Sequence, residues 1–349
     1  MRKQARRHAV GVRRSLQEFD RRQKHGARLR AYHVRRREFN QRFRPKQEYA
    51  DSPAPEVFSI LNNRSATVSY MQNIDKNLQN RIFTRLNLSG VKETDLATIC
   101  LLTGYMLDSK TRSPFLEVVI PPKGTNSRKL FDEVEFDRMV IKQRRRQFTS
   151  GRFLSRSDTQ VNTDAIEDIL NVTVDFFGEE RRNELLNLSP VIVEIVENTG
   201  FHADPKKENK LPWIFNTHIV RGDGYRELEY CIVDLGVGMY DSIKKNVEKW
   251  NTAKAKVIHR LTAVLDHSTT QSGFLTKNIP NGIGSSTNEI HRGKGVQYVA
   301  LRAKDEMYQV FDIITNKAHV KLKDMSKPVK DIPENLSATI YYWKIRFND

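Results

Sequence analysis

The chain has 349 residues, 38% of them hydrophobic and 29% charged, and a formal net charge of +17; its length predicts about two domains, each with its own core. No apolar run approaches the ~20 residues of a membrane helix, and the arginine-rich start has no apolar stretch behind it, which argues against a secretory signal. The only two cysteines, Cys100 and Cys231, sit inside apolar runs, so a disulfide scaffold and a cysteine-based zinc site are excluded and a reducing, cytoplasmic setting is expected.

The charge is concentrated at one end. Residues 1–50 hold 17 Lys and Arg against 4 Asp and Glu, a net of +13, and leave +4 for everything after them. Arg6-Arg7, Arg13-Arg14, Arg21-Arg22, Arg28, Arg30, Arg35-Arg36-Arg37, Arg42 and Arg44 recur in clusters that share one side if the segment is helical. Arginine favours bidentate phosphate contacts, so the tail reads as an arm for nucleic acid. A solvated tail, or a helix docking on an acidic protein, has the same composition.

Asp51-Ser-Pro-Ala-Pro55 reads as a linker. Residues 57–140 follow as a small α/β domain. Ile82–Leu88 alternates like a strand, Asp95 caps a helix with Leu96, Ile99, Leu102 and Met106 on its apolar face, and Phe115–Ile120 is a second strand ended by Pro121-Pro122. Ser127 precedes a short helix. Residues 141–160 read as a second linker. Beyond it, a helical pair is expected at 163–178 and 179–203, then strands Trp213–Val220 and Leu228–Val233 around Gly222-Asp-Gly224. A helix around 240–267, a Gly/Ser/Thr/Asn-rich loop over 268–292, a helix from near Gly295, and strands Tyr308–Ile314 and Thr339–Ile345 complete 161–349.

Three motifs stand in order in this last part. In Glu194-Ile-Val-Glu-Asn198-Thr-Gly-Phe-His202, Glu194, Asn198 and His202 are four apart and share a helix face, while Ile192, Ile195 and Val196 form the apolar side. In Cys231-Ile-Val-Asp234-Leu-Gly236-Val-Gly238, an apolar strand ends in a carboxylate followed by two glycines, which allow a sharp turn and close approach to a ligand. In Gly293-Lys294-Gly295, two glycines and a lysine open a helix, whose free N–H groups suit a phosphate. Taken singly, the three also read as a solvated helix face, an Asp-Gly turn and an ordinary helix start.

Together, Glu-x-x-x-Asn, Asp-x-Gly-x-Gly and Gly-x-Gly before a helix resemble the GHKL ATPases over about 160–347, with Ser337-Ala338-Thr339 similar to their late Gly-Thr except that Ala338 replaces the glycine. The resemblance implies an α/β protein whose C-terminal part is a two-layer sandwich of the Bergerat type, a mixed sheet with helices on one face. It implies ATP and Mg²⁺ as ligands. Asn198 would hold Mg²⁺. Asp234 would accept from the adenine amine and disfavour guanine, with Thr339 supporting that contact through water. Gly236 and Gly238 would let the backbone close over the nucleotide, Gly293, Lys294 and Gly295 would hold the phosphates, and 268–292 would be a lid with Gly282 and Gly284 as flexible points. Glu194 would orient water for hydrolysis or deprotonate a Ser/Thr acceptor; Glu197 points about 100° away on the helix.

Residues 57–140 resemble a STAS domain in Leu86-Asn-Leu-Ser-Gly-Val91 and Thr94-Asp95. In the phosphorylatable members Ser-Ser-Gly follows the Asp; here Leu96-Ala97-Thr98 does, so the acceptor position is Ala97 and a switch there is not expected. No phosphoacceptor-histidine helix precedes the ATPase-like part, which argues against a histidine kinase. The leading expectation is an ATP-hydrolysing conformational switch acting on a partner protein through 57–140 or on nucleic acid through 1–50, alone or as a homodimer and away from membranes. The alternatives are a Ser/Thr kinase of anti-sigma type and a non-catalytic adaptor that binds nucleic acid.

Overall fold

The structure is a computed structural model and describes residues 49–107, 116–136, 140, 153–156, 163–202, 213–244, 270–281, 295–326 and 329–348. The tail, apart from its last two residues, lies outside the described residues.

The first part of the chain runs β1 (Ala50–Pro53), β2 (Val57–Phe58), α1 (Arg64–Gln79), β3 (Thr84–Asn87), β4 (Glu93–Thr94), α2 (Leu96–Leu107), β5 (Leu116–Ile120) and α3 (Thr125–Glu133). The expected linker at 51–55 is therefore largely a strand. β1 lies parallel to β3 at the edge of a three-stranded sheet ordered β1-β3-β5. An edge position tolerates Pro53, because only one side of the strand must supply ladder bonds. Asp95 caps α2 as expected: its Oδ1 accepts from the Thr98 N–H at 2.6 Å, and Oδ2 accepts from the Ser59 hydroxyl. The α3 helix starts two residues before Ser127.

The second part adds β6 (Phe153–Arg156), α4 (Thr163–Phe177), a short helical connection containing α5 (Arg182–Leu185), α6 (Leu188–His202), β7 (Trp213–Gly222), β8 (Tyr225–Asp234), α7 (Gln271–Asn278), α8 (Gly295–Arg302), β9 (Tyr308–Asn316), β10 (Ala318–Lys321) and β11 (Leu336–Asn348). β6 falls inside the stretch read as the 141–160 linker. The strands form one six-stranded sheet, ordered β10-β9-β11-β8-β7-β6. Every pairing in it is antiparallel, not mixed as expected. β7 and β8 are joined by the tight Asp223-Gly224 turn, with Gly224 at φ 76°, and such hairpins impose antiparallel pairing.

Period-two alternation gives the sheet two apolar faces. Leu228, Tyr230 and Ile232 of β8, with Tyr341, Trp343 and Ile345 of β11, pack against α4, α6 and α8. Cys231 and Val233, with Ala338, Ile340 and Tyr342, face the other way and join a core with Val68, Ile74, Leu86, Ile99 and Leu102. The first part of the chain thus covers the sheet face that the later helices leave open, and residues 50–349 form one compact unit. α2 is apolar nearly all round because it is buried between the two sheets; Leu96, Ile99, Cys100 and Leu102 have no exposed surface. Cys100 and Cys231 meet there as free thiols, and burial pushes the Cys231 thiol well up. Among the described residues no helix is long and apolar enough to cross a membrane.

Candidate functional site

Asp234 ends β8 on the helix-covered face. In the ladder it lies beside Trp213 of β7 and Thr339 of β11, and Thr339 lies beside Thr315 of β9. A row of four side chains therefore crosses four strands. Asp234 is 5% exposed. Burial pushes its carboxyl up to about 7, against the Gly236 N–H that donates to Oδ1 at 2.8 Å. The Thr315 and Thr339 hydroxyls are 3.2 Å apart, and Thr315 Oγ1 also accepts from the Met239 N–H at 2.7 Å.

The glycine turn after Asp234 is held by a residue that sequence reasoning missed. Asn316, at φ 51°, closes β9 in the left-handed region that asparagine tolerates. Its Oδ1 accepts from the Tyr240 and Asp241 N–H groups at 3.1 and 3.3 Å. Its Nδ2 donates to the Val237 carbonyl and to Asp241 Oδ2, both at 3.0 Å. One side chain thus fastens the turn and caps the helical segment that starts at 239. Gly238 sits at φ 85°, and a Cβ there would lie 2.4 Å from Asn316 Oδ1. The position needs glycine for that packing, whatever else it does. The available signal was an asparagine two residues past the expected strand Tyr308–Ile314, but its partners lie about 75 residues earlier.

Glu194 and Asn198 share a face of α6 as expected, with Ile192, Ile195 and Val196 buried on the other side. Gly295, the first residue of α8, lies against them: a Cβ on it would be 2.2 Å from Glu194 Oε2 and 3.3 Å from Asn198 Nδ2. Burial raises the Glu194 carboxyl, and the neighbouring Glu197 charge raises it further. Asn198 Nδ2 is buried and has no hydrogen-bond partner. Gly293, Lys294, Gly282 and Gly284 lie outside the described residues, as does the side chain of His202.

The stretch read as a lid loop is in part a helix. Three observations account for α7. Thr270 accepts from the Gly273 N–H at 3.1 Å, Asp331 accepts from the Gln271 and Ser272 N–H groups at 2.6 and 2.9 Å, and Phe274, Leu275 and Ile279 are buried in the helix-side core. Tertiary caps and three apolar anchors override a polar composition.

A separate cavity of about 700 Å³ lies on the opposite sheet face, lined by His218, Glu229, Asp312, His319, Tyr342 and Lys344 among others. Five of its ionic groups are partnered within it. Glu229 meets His218 at 3.1 Å, the Tyr342 hydroxyl at 3.1 Å and Lys344; His319 meets Asp312 at 3.0 Å. Burial works to raise the Glu229 carboxyl, but His218 and Lys344 outweigh it and hold the group down at about 2. None of the expected site residues lines this cavity.

Among the described residues no group of three or more His, Cys, Asp or Glu could hold a metal ion. The α6 face instead offers one amide and one carboxylate beside a helix start. This fits a hard cation that takes most of its ligands from phosphate and water. No protein-family profile and no curated protein sequence matches this chain.

Proposed function

We propose that this chain binds ATP with Mg²⁺ in a Bergerat-type site on the helix-covered face of the large sheet, hydrolyses it, and acts as a nucleotide-driven switch on a partner protein or nucleic acid. The observation that carries this reading is the buried carboxylate of Asp234 at a strand end, with Thr339 beside it in the ladder. In its ionised form, which prevails above about pH 7, a dry carboxylate recognises an N–H donor and rejects a carbonyl, which separates adenine from guanine. Two further features support it. Glu194, Asn198 and Gly295 converge on the α6–α8 contact, and α6 packs on the same core as β8 and β11.

Each residue has a defined task in this reading. Asp234 accepts from the adenine amine, and Thr339 and Thr315 hold water beside it. Asn198 would hold Mg²⁺ through its amide oxygen, and Gly295 would let the α8 backbone approach the phosphates. Bound Mg²⁺ would neutralise charge on the phosphate oxygens. Glu194 orients a water and takes its proton as the new oxygen–phosphorus bond forms and the bond to the leaving diphosphate breaks. A carboxyl raised by burial is a better base for that step than a solvated one.

The test is direct. The purified protein is incubated with Mg·ATP labelled on the γ-phosphate. Calorimetric binding of ATP but not GTP, with release of free phosphate, is the expected result. Label transfer to a co-purified protein would replace hydrolysis with the anti-sigma kinase reading. Absence of any nucleotide binding would leave the adaptor reading.

A further inference from the structure

We infer that residues 329–335 form a strap that couples helix α1, in the first part of the chain, to the glycine turn at 236–241 and to helix α7. The coupling is read from hydrogen bonds alone. That it regulates a nucleotide site rests on the function proposed above.

On one side the strap is bound to α1. Arg64 is 8% exposed and donates through Nη2 to the Lys330 carbonyl at 2.7 Å. Ser65 and Ser69, one helical turn apart, donate to the two oxygens of Glu334 at 2.8 and 2.9 Å. Gln72, on the same helix face, donates to the Asn335 carbonyl at 2.9 Å. Spacings of four and three residues are what a straight line of contacts along a helix requires.

On the other side the same few residues reach the proposed site. The two oxygens of Asp331 accept from the first two N–H groups of α7, at 2.6 and 2.9 Å. A carboxylate at that end also meets the positive pole of the helix. The Ile332 N–H donates to the Lys317 carbonyl at 3.2 Å, and the Lys317 N–H donates to Gln271 Oε1 at 2.9 Å. Asn335 Nδ2 reaches Asp241 Oδ2 at 3.3 Å, and Asp241 is the carboxylate that Asn316 holds at 3.0 Å. A seven-residue segment therefore touches α1 at three of its residues and the site at three, with Asn335 doing both.

Alternating anchors of this kind leave the strap little freedom to move on one side only. A shift of α1 draws Glu334 and Asn335 with it. Asn335 is tied to Asp241, and Asp331 lies between Lys330 and Glu334. A protein that binds the first part of the chain and displaces α1 would loosen the turn beside Asp234 and uncap α7. Nucleotide at the turn would be reported back to α1 by the same bonds.

Hydrogen exchange on the full chain without nucleotide tests the coupling. Ser65→Ala/Ser69→Ala/Gln72→Ala removes exposed or half-buried polar groups of α1, and Glu334→Ala breaks two of the same three bonds, those to Ser65 and Ser69, from the strap side. Losing two or three hydrogen bonds should speed exchange by at least ~5-fold in peptides covering 236–244 and 270–279, in both variants. Exchange over 226–233, inside β8, should stay as in the parent. A rise confined to 64–72 and 329–335 overturns the proposal, and so does a rise that reaches 226–233, which marks general loosening. In parallel, Mg·ATP titration should show affinity reduced by at least ~3-fold in both variants. If exchange moves as stated but the parent protein binds no ATP, the coupling stands and the nucleotide reading falls.

Discussion

The Asn316 side chain occupies the space that any side chain at position 238 would need. With Gly238 at φ 85°, the strand end of β9 and the turn after β8 fit so closely that a Cβ at 238 would lie 2.4 Å from Asn316 Oδ1.

Gly238→Ala should therefore cost roughly 2–4 kcal/mol, from a left-handed backbone and the clash with Asn316. Asn316→Ala should cost roughly 2 kcal/mol through its lost hydrogen bonds. In the double variant the clash is gone while the backbone strain stays, so the combined loss should fall short of the sum. Urea denaturation of the three variants measures the shortfall, and strict additivity would refute the fit.

Asp234→Asn should raise stability and abolish adenine recognition together. The native carboxyl sits at about 7, above the ordinary value of 3.8. The folded state therefore holds its proton over that interval while the unfolded chain releases it. Stability falls as pH rises from about 4 to about 7 and stays reduced above that, by an amount on the order of 4 kcal/mol. The amide removes this penalty and still accepts from the Gly236 N–H. Unfolding at pH 8 should show the variant as the more stable protein, with the advantage vanishing near pH 4. Calorimetry should show ATP binding lost, because an amide can present a donor to a donor.

Glu194→Ala should retain ATP binding and lose ~10²–10⁴-fold in turnover, the usual effect of removing one general base. Gly295→Ala should lower both, since its Cβ would lie 2.2 Å from Glu194 Oε2. Combining the two substitutions should restore binding but not turnover. A phosphate-release assay and a calorimetric titration separate these outcomes.

Removing residues 1–48 should leave ATP binding unchanged, because every proposed nucleotide contact lies after position 190. The affinity for RNA or DNA should drop sharply with it. If six phosphates are neutralised, log affinity should fall against log salt with a slope of about −4 to −5. Filter binding across a salt series checks this. Equal binding by the two proteins would make the tail a docking or solvating segment.

How far the sequence could be read follows from where each determinant lies. The α6 face and the end of β8 were legible, because the determinants of each lie within its own short segment: apolar spacing with Glu194 and Asn198 in one, an apolar run ending in Asp234 in the other. The cap on α7 was not, because Asp331 stands 60 residues from Gln271 and a Ser/Gly/Thr-rich stretch gives no local helix signal. Asn316 was not, because its meaning depends on Gly238 and Asp241. The shared core was not, because Ile99 and Val233 each announce a buried position without naming the surface that covers it. β1 was hidden by Pro53 and by the Pro55 that follows it, which read as a break unless the strand is known to be an edge.

The position of β11 has a consequence for the order in which the protein can be made. This strand follows every other strand in the sequence, yet it lies fourth from one edge and third from the other, between β9 and β8. Tyr341 and Trp343 complete the core under the helices, and Ile340 and Tyr342 complete the core under α2. As the chain leaves the ribosome, the β7–β8 hairpin and the helices on both sides are synthesised first and must wait with their apolar faces open. Neither core closes until residues 336–348 have been added between strands already made. A ribosome pause just before residue 336 should therefore leave a nascent chain that is sensitive to protease over both halves, and the sensitivity should disappear in one step when β11 emerges.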